Sequence, residues 1–360
     1  MNATAVSSFP CVHIVGCGLL GTSIGLALTQ RGVAVTLEDS SPAAVDLARD
    51  YGAGDAREDT SAMPSLVVVA TPPDVVGSVV NESLTAFPDA TVIDVASIKK
   101  QVYADISGDA ARFVGTHPMA GRERGGAVSA RSDLFTGRPW VICEGEETRR
   151  SRVREFVHEL GGIPVDMDAA QHDEAVALVS HLPQIVASVS ASRLGSATPA
   201  ALSLAGAGIR DVTRIAASDP ALWVQILAAN SSAVLPHVKA VRADLDDLIS
   251  ALENTSAKGA RAQIASRLQS GVAGVSTLPG KHGVSSEVAS LLVVIDDTPG
   301  QLARLLTQLG DWGINLEDLR LEHSPGANIG FAELSVSKNV VGVMEQKLVE
   351  AGWKISGETE

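Results

Sequence analysis

The 360-residue chain has few cysteines, few aromatic side chains and little positive charge, and each shortage argues against a class of protein. Cys11, Cys17 and Cys143 form no CxxC pair, which argues against a disulfide scaffold or a structural zinc site. Aromatic residues make up 3%, so ring stacking is a poor candidate for the main recognition chemistry. The net charge is −14 and no Lys/Arg run reaches five residues, which argues against a nucleic-acid or anionic-membrane surface.

The sequence also gives no sign of long apolar runs or targeting signals. We find no apolar stretch of about 18 residues, so we expect no transmembrane helix. The first ten residues lack the basic region of a secretory signal, and free cysteines suit a reducing compartment, so we predict a cytoplasmic protein with no bound metal. Hydrophobic residues make up 45%, enough for more than one core, and the length corresponds to two or three domains.

Residues 1–168 alternate apolar strands with helical segments, a pattern typical of βαβ units and a parallel sheet. The strands are predicted over residues 11–15, 33–37, 66–70, 91–95, 112–115, 140–143 and 163–167. From residue 169 to 272 the pattern becomes helical and Ala-rich, with helices predicted at 168–195, 200–218, 220–253 and 257–270. Pro183 should kink the first of these helices. Their long apolar faces require a partner, and a second copy of the chain is the simplest one.

Residues 273–287 are rich in Gly, Ser and Thr and are interpreted as a linker. Beyond it, residues 288–360 show a strand, a helix, two strands, a helix and a final strand. These are predicted at 290–295, 299–312, 314–322, 329–336, 340–351 and 353–355. This βαββαβ order predicts a ferredoxin-like module.

The first motif with chemical meaning is Gly16-Cys17-Gly18-Leu19-Leu20-Gly21, which follows a strand and opens a helix. Its glycines allow a tight turn and close backbone approach to a pyrophosphate at the helix N-terminus. About 20 residues on, Glu38 and Asp39 end the second strand, where a carboxylate can bind both ribose hydroxyls. The alternative is a simple packing turn. An acid here repels a 2′-phosphate, so NAD is favoured over NADP.

Three further segments follow strands at the edge where cofactors bind. Thr71 and Pro72 are assigned to the cofactor, with an ordinary turn as the alternative. The hydroxyl of Ser97 could bond to a nicotinamide, a substrate or a catalytic base, unless it only caps a helix. His117, expected in a loop, could interact with a carbinol hydroxyl while hydride leaves the same carbon, or could bond only to backbone. Glu123 could pair with His117 or with a substrate group.

The helical region carries two polar clusters. His172-Asp173 and Ser180–Gln184 lie on one helical stretch, and Asp173 and His181 are eight residues apart, so they can point to nearby faces. A helix that carries polar side chains among apolar ones often lines a cleft, and the alternative is capping at the helix start with a solvated stripe. Asp211 and Arg214 share a face, and the Arg214 guanidinium suits a carboxylate unless it only pairs with Asp211.

Taken together, these motifs resemble the prephenate/arogenate dehydrogenase family of tyrosine biosynthesis. The carriers are the glycine motif, residues 94–99, residues 115–121 with Glu123, residues 180–183, Asp211–Arg214 and Trp223. The segments at 297–302 and 313–316 look like an ACT domain. The fold expected is a Rossmann-type α/β domain, an all-α substrate and dimerisation domain, and a ferredoxin-like ACT domain.

The resemblance implies NAD-dependent oxidative decarboxylation of a cyclohexadienyl acid. Hydride leaves C4, the C4 hydroxyl becomes a carbonyl, and the ring carboxylate departs as carbon dioxide. His117 matches the histidine that polarises the C4 hydroxyl, Ser97 the serine that supports it, and Arg214 the arginine that holds a substrate carboxylate. Pocket or supporting positions are matched by His181, Asp211, Glu123 and Trp223.

The chain departs from the family at a position that bears on substrate choice. Many family members have Ser-His-Leu-Pro-His, whereas this chain has Gln184 in place of the last histidine, which reaches the substrate side chain in those members. Prephenate, a keto acid, is the substrate predicted here, and arogenate, an amino acid, is the alternative. A β-hydroxyacid dehydrogenase, a ketol-acid reductoisomerase and a regulator that senses NAD and amino acids are rival interpretations of the same motifs.

The C-terminal module carries a candidate effector site. Backbone amides in the turn Asp297-Thr298-Pro299-Gly300 could hold the carboxylate of an aromatic amino acid, most simply the pathway product tyrosine. Gly313 and Asn315 are expected across from this turn, where they would meet a polar ligand group. The alternative is a module that only strengthens the dimer.

Overall fold

A computed structural model describes residues 8–121, 125–278, 288–323 and 329–359. The chain divides into two compact units. One contains residues 1–197 and 212–241, and the other contains residues 198–211 and 242–360. Each unit is described by itself.

The first unit is built on a six-stranded parallel sheet in the order β3-β2-β1-β4-β5-β6. The strands are β1 Cys11–Val15, β2 Ala34–Glu38, β3 Asp55–Ala56, β4 Leu66–Val69, β5 Thr91–Asp94 and β6 Phe113–Val114. Val12 in the central strand aligns with Val35 on one side and Leu66 on the other. Strand order reverses between β1 and β4, so a crevice for a ligand lies at the carboxyl ends of these two strands.

Five helices accompany this sheet: α1 Leu19–Thr29, α2 Pro42–Asp50, α3 Val76–Ala86, α4 Lys100–Asp105 and α5 Glu147–Glu159. Every residue of β4 and β5 is buried, because a parallel sheet is covered on both faces. One core cluster includes Ile24, Leu28 and Phe156, and the other includes Val80 and Phe113. The predicted parallel α/β fold is confirmed.

A second, three-stranded sheet corrects one expectation about His117. It consists of β7 Thr116–Pro118, β8 Pro139–Ile142 and β9 Ile163–Asp166, with β7 and β8 antiparallel. His117 therefore lies in a short strand, not in a loop. It aligns with Val141 of β8, so pairing with a neighbouring strand fixes the backbone that carries the imidazole.

The first long helical stretch, 169–196, corrects another expectation. It comprises α6 Ala169–Val176, a π-helical turn Ala177–His181, α7 Leu182–Ser192 and a 3₁₀ turn Arg193–Ser196. By length and composition alone, this stretch could cross a membrane. The sequence led us to expect no such segment, because scattered polar residues interrupt its apolar run. The π turn lies just before Pro183, where the sequence predicts a kink.

The remaining helices divide differently from those predicted. They are α8 Pro199–Leu202, α9 Ala207–Thr213, α10 Pro220–Ala229, α11 Ser231–Glu253 and α12 Ala260–Val275, with a 3₁₀ turn at Arg214–Ala217. The predicted helix 220–253 is broken at Asn230, whose side chain is buried in the site described below. Helix α12 continues into the first residues of the predicted linker, and residues 279–287 lie outside the described ranges.

The C-terminal module has the predicted βαββαβ order. Its elements are β10 Val288–Asp296, α13 Gln301–Asp311, β11 Asp318–His323, β12 Ile329–Ser337, α14 Lys338–Glu350 and β13 Lys354–Thr359. The sheet is antiparallel in the order β11-β12-β10-β13. Alternate residues of β10, Leu291, Val293 and Ile295, are buried against helix residues such as Leu305 and Met344.

The structure corrects the expected position of Asn315. The turn at Asp297–Gly300 precedes α13, whereas Asn315 follows the end of α13. This helix has 11 residues and is about 16 Å long at 1.5 Å per residue, so the chain after it lies at the opposite end of the strands. The turn and Asn315 therefore do not meet around one small ligand within a single chain.

Candidate active site

The glycine motif forms a cradle at the carboxyl ends of β1 and β4. Gly16 has φ +106°, and a Cβ there would lie 2.4 Å from the carbonyl oxygen of Ala70. A Cβ on Gly21 would lie 1.9 Å from the carbonyl oxygen of Gly16. Apart from Cys17, Gly18 and Leu19 themselves, no described residue has an atom within 4 Å of the Cβ position of Gly18, so the first turn of α1 is open to a ligand. Leu19 and Leu20 are half-buried in that turn.

Of the two acids at the end of β2, Asp39 is the one that faces this cradle. Its carboxylate accepts hydrogen bonds from the backbone N–H of Cys17 at 2.7 Å and of Ser41 at 2.9 Å. The Glu38 carboxylate instead lies 3.2 Å from Nε2 of buried His13. A cavity of about 570 Å³ adjoins them, lined by residues that include Glu38, Asp39, Asp46, Arg57, Glu58 and Asp59.

Thr71 gives an independent sign that a polar ligand belongs at this edge. Its hydroxyl is buried and has no hydrogen-bond partner among the described residues, although buried hydroxyls are normally satisfied. Pro72 beside it is exposed. The open Gly18, the oriented Asp39 and the unsatisfied Thr71 hydroxyl all fit NAD, which would lie along the glycine loop with its ribose at Asp39.

We predict that this chain uses NAD in preference to NADP. Asp39→Asn should reduce the ratio of kcat/KM for NAD to kcat/KM for NADP. Repulsion between a carboxylate and a 2′-phosphate a few ångströms apart costs about 3 kcal/mol, or roughly 10²-fold in kcat/KM. The measurement is kcat/KM for both cofactors. Asp46→Asn is the matched control, because Asp46 lines the same cavity and pairs with Arg49. Equal kcat/KM values for both cofactors in the unsubstituted chain would contradict the prediction.

Three polar side chains form a continuous chain next to this edge of the sheet. His117 on β7 is 8% exposed, and its Nδ1 lies 2.8 Å from Nε2 of His172 on α6. The Nδ1 of His172 lies 2.8 Å from a carboxylate oxygen of Asp173. The two imidazole rings meet edge to face with centroids 5.0 Å apart. A histidine and a carboxylate are thus linked through a second histidine.

The carboxylate of Asp173 is held at the start of α4. It accepts hydrogen bonds from the backbone N–H groups of Lys99 at 2.8 Å and Lys100 at 2.9 Å, where the helix end favours negative charge. Burial alone would raise the pKa of Asp173, but the hydrogen bonds from His172, Lys100 and Lys99 outweigh it and lower the pKa. The carboxylate is therefore ionised at neutral pH.

A buried ion pair fixes the segment that carries Ser97. Asp94 at the end of β5 pairs with the ammonium of Lys99, and both side chains are fully buried. Asp94 also accepts hydrogen bonds from the backbone N–H groups of Ala96 at 3.0 Å and Thr116 at 3.2 Å. The start of β7 and residues 95–99 are thereby tied to one carboxylate. Ser97 lies within this segment and is half-buried.

His181 completes the buried polar group. It ends the π turn, is 1% exposed, and its Nδ1 lies 3.2 Å from the amide nitrogen of Asn230. The Trp223 ring packs edge to face against His181 with centroids 5.9 Å apart. Burial and the nearby His172 lower the pKa of His181 to about 4, although Asp173 opposes the shift.

The pKa of His117 is lowered well below its usual value. Burial is the main cause, and the nearby His172, Lys99 and His181 act in the same direction. His117 is therefore neutral at physiological pH, with one ring nitrogen able to accept a proton.

The structure brings His117, His181 and Trp223 into one neighbourhood. The other residues predicted to contact or support the substrate are Gln184, Arg214, Asp211 and Glu123. Gln184 on α7 is buried, and its amide nitrogen lies 3.3 Å from the Ser188 hydroxyl. Arg214 is exposed in a turn that packs against α7. Asp211 is exposed and belongs to the other compact unit. Glu123 lies outside the described residues.

Three residues of the site, His172, Asp173 and Asn230, were not assigned to it from the sequence. The spacing of Asp173 and His181 on one helix, already visible in the sequence, is the signal that points to the first two. Asn230 carries no such signal, because the pattern of residues 220–253 predicts one continuous helix. Its amide nitrogen also donates to the backbone carbonyl of Asp173 at 2.8 Å, which links the two helices.

The fold and the site together define a class of protein. A doubly wound sheet, a glycine cradle and a buried histidine beside it are those of an NAD-dependent oxidoreductase. Two family models match the chain: "Prephenate dehydrogenase, nucleotide-binding domain" over residues 24–164 and "Prephenate dehydrogenase, dimerization domain" over residues 168–265. The chain belongs to the prephenate dehydrogenase family.

Individual relatives agree with this placement. Probable prephenate dehydrogenase NovF of Streptomyces niveus is 35% identical over 338 residues, covering 90% of this chain and 93% of the relative. The Aquifex aeolicus prephenate dehydrogenase, solved with hydroxyphenyl propionate and NAD⁺, has a TM-score of 0.64 and 26% identity over 75% of this chain and 100% of that one. Synechocystis arogenate dehydrogenase has a TM-score of 0.58 and 26% identity over 74% and 98% of the two chains.

Proposed function

We propose that this chain is an NAD-dependent prephenate dehydrogenase that converts prephenate to 4-hydroxyphenylpyruvate and carbon dioxide. The observation that carries this proposal is the buried His117–His172–Asp173 chain beside the dinucleotide cradle, in a protein of this family. Bound NAD supplies the hydride acceptor. The side chains described above supply the proton handling and the substrate contacts.

The residues act on the C4 hydroxyl of the substrate. As C4 loses its hydrogen as hydride, the neutral imidazole of His117 accepts the hydroxyl proton and the C4–O bond becomes a carbonyl. The bond from the ring to its carboxylate then breaks, carbon dioxide leaves, and the electron pair enters the ring to give a phenolate. His117 returns its proton to that oxygen. His117 thus accepts one proton and returns it, so the substrate loses only the hydride and carbon dioxide.

We assign two further residues to substrate contacts. Ser97 is half-buried and lies close in sequence to Lys99, whose backbone N–H donates to Asp173. Its hydroxyl can therefore support the substrate hydroxyl on which His117 acts. The guanidinium of Arg214 would bind a substrate carboxylate, because two parallel charge-assisted hydrogen bonds suit that pair. Asp211, Glu123 and Trp223 remain proposed supporting residues.

The test is turnover of purified enzyme with NAD and either prephenate or arogenate, followed as NADH absorbance and carbon dioxide release. We expect prephenate to be oxidised and decarboxylated in equal amounts. Arogenate is the second candidate substrate, because Gln184 replaces a histidine common in the family and the Synechocystis arogenate dehydrogenase is a structural neighbour. Turnover of neither substrate would overturn the proposed function.

We propose a cytoplasmic homodimer formed through the helical domain. Large apolar side chains on the 169–196 stretch are exposed in the single chain, among them Leu178, Val179, Val186 and Val189. Exposed apolar surface of this kind is typical of an interface, and the matching family model is described as a dimerization domain. The division into residues 1–168, 169–272, 273–287 and 288–360 is part of the same proposal.

We also propose that the βαββαβ module is an ACT-like domain that binds an aromatic amino acid. Support comes from its element order and from the exposed turn at Asp297, Pro299 and Gly300 before α13. Because Asn315 lies beyond the other end of α13, a site that uses both regions needs the modules of two chains. A module that only strengthens the dimer is the alternative.

Calorimetry on the full chain tests the effector. We predict a measurable heat of binding with tyrosine at millimolar concentration or below. Asn315→Ala should weaken binding about five- to tenfold, the contribution of one hydrogen bond. Gln346→Ala is the control, because that amide bonds within α14 to Glu350. No heat with tyrosine, phenylalanine or tryptophan would remove the effector proposal.

A further inference from the structure

We infer that His172 and Asp173 are positioning residues that fix the proton of His117 on Nδ1 and leave Nε2 as the acceptor toward the substrate. The inference rests on the proposed function for its catalytic meaning, but the geometry of the three side chains carries it. His117 is buried, so its proton position is set by its hydrogen-bond partner and not by exchange with bulk water.

The proton positions follow from the fixed end of the chain. The Asp173 carboxylate can only accept, and it already accepts from two backbone N–H groups. The His172 Nδ1, 2.8 Å from it, must therefore be the nitrogen that carries a proton. We infer that Nδ1 carries the single proton of His172, so its Nε2 accepts from Nδ1–H of His117 at 2.8 Å. The remaining nitrogen of His117, Nε2, carries the lone pair.

The same reasoning gives His181 the opposite proton position. The Asn230 amide nitrogen donates to the backbone carbonyl of Asp173 at 2.8 Å, which identifies it as the NH₂ group. His181 Nδ1, 3.2 Å from that nitrogen, is consequently an acceptor, and its proton lies on Nε2. The free Nε2 of His117 is thus a hydrogen-bond acceptor, whereas Nε2–H of His181 is a hydrogen-bond donor.

The chain of three side chains also links the two regions matched by the family models. His117 lies in the nucleotide-binding match and His172 and Asp173 in the dimerization match. Packing of α6 on α4 brings Asp173 to the backbone of Lys99 and Lys100. The proton position of His117 therefore depends on correct docking of α6, a dependence that an isolated histidine would not have.

Nitrogen NMR on the full chain labelled with ¹⁵N-histidine reads the proton positions directly. His117→Asn and His172→Gln remove one signal set each and so assign the spectrum. We expect His117 and His172 protonated on Nδ1 and His181 protonated on Nε2. Because this readout needs no substrate, it stands apart from the proposed function. A wild-type His117 protonated on Nε2 overturns the inference.

Kinetics test whether the proton position matters. In Asp173→Asn the amide NH₂ can face His172 only if the hydrogen bond from the Lys99 N–H is given up. In that orientation, which the same NMR measurement identifies, both proton positions reverse and kcat should fall by about 10²- to 10⁴-fold, as in other carboxylate–histidine pairs, with KM for NAD unchanged. His172→Gln leaves the contacts of Asp173 to α4 in place and offers one acceptor and one donor. Its kcat should be roughly tenfold higher than that of His172→Leu, which offers neither, since glutamine keeps a hydrogen-bond partner for His117.

The controls separate positioning from folding. Thermal melting of each variant reports any loss of structure, and His172→Gln serves if Asp173→Asn folds poorly. Reversed proton positions in Asp173→Asn with kcat within about twofold of wild type, or equal kcat for the Gln and Leu variants, overturn a positioning role. If wild-type enzyme turns over neither prephenate nor arogenate while the NMR result holds, the proposed function fails and the proton assignment survives.

Discussion

Substitution of His117 by asparagine is expected to lower kcat by about 10²- to 10⁴-fold while KM for NAD stays near that of the wild type. Asparagine keeps a polar group beside His172 but cannot accept the proton of the C4 hydroxyl. The glycine cradle and Asp39 are contributed by other elements, so cofactor binding should not depend on the imidazole. Steady-state kinetics with prephenate, and NAD binding followed by fluorescence, measure the two effects.

A matched control is His158→Asn. His158 lies in the last turn of α5, away from the polar contacts of the site. It should leave kcat within about twofold of wild type. Full turnover in the His117 variant would remove this residue from the mechanism, whereas a lower melting temperature with unchanged kcat would assign it to stability alone.

The pH profile of the wild-type enzyme follows from the same residue. The active form of His117 is neutral, and burial with His172, Lys99 and His181 lowers its pKa. The acid limb of kcat/KM should therefore lie below the usual histidine pKa of about 6.5, and activity should be flat from there to neutral pH. The same depressed pKa makes the folded state less stable in acid, since the unfolded chain binds the proton more readily.

How much of the fold the sequence predicts depends on how each element is stabilised. Strands such as Leu66–Val69 are continuous apolar runs, and this composition predicts burial in a parallel sheet. β3 has two exposed residues, Asp55 and Ala56, and carries no apolar pattern. β7 is three residues centred on a histidine, and it is a strand because β8 offers an edge to pair with. Such short elements are determined by their neighbours.

The site divides along similar lines. The glycine cradle was predictable because its conformation and close contacts allow only glycine at Gly16 and Gly21. The partner of His117 was not, because His172 is 55 positions away and reaches it only through the packing of α6. Asn230 could not be predicted for a different reason. The helical periodicity of the sequence continues through it, whereas helix α10 ends there and its side-chain amide is buried. Long-range polar contacts leave no periodic trace in a sequence.

Arg214 is the residue for which we expect the largest effect on substrate affinity. It opens a 3₁₀ turn that packs against α7, the helix that carries Gln184, and it precedes α10, which brings Trp223 to His181. Loss of a charge-assisted contact to a carboxylate costs about 1.5–3 kcal/mol, so Arg214→Ala should raise KM for the substrate roughly 10- to 100-fold. Changes in kcat and in KM for NAD should be small by comparison, because the interaction is formed in the ground state as well as in the transition state.

Two variants make the result specific to the guanidinium of Arg214. Arg214→Lys keeps the charge but not the planar pair of donors, so its KM should fall between those of wild type and Arg214→Ala. Arg193→Ala removes another exposed arginine from a 3₁₀ turn at the end of α7, where its guanidinium bonds to Ser192, and should leave KM unchanged. If Arg214→Ala instead melts far below wild type with an unaltered KM, the arginine supports the fold, as a pairing with Asp211 would, and another cation must bind the carboxylate.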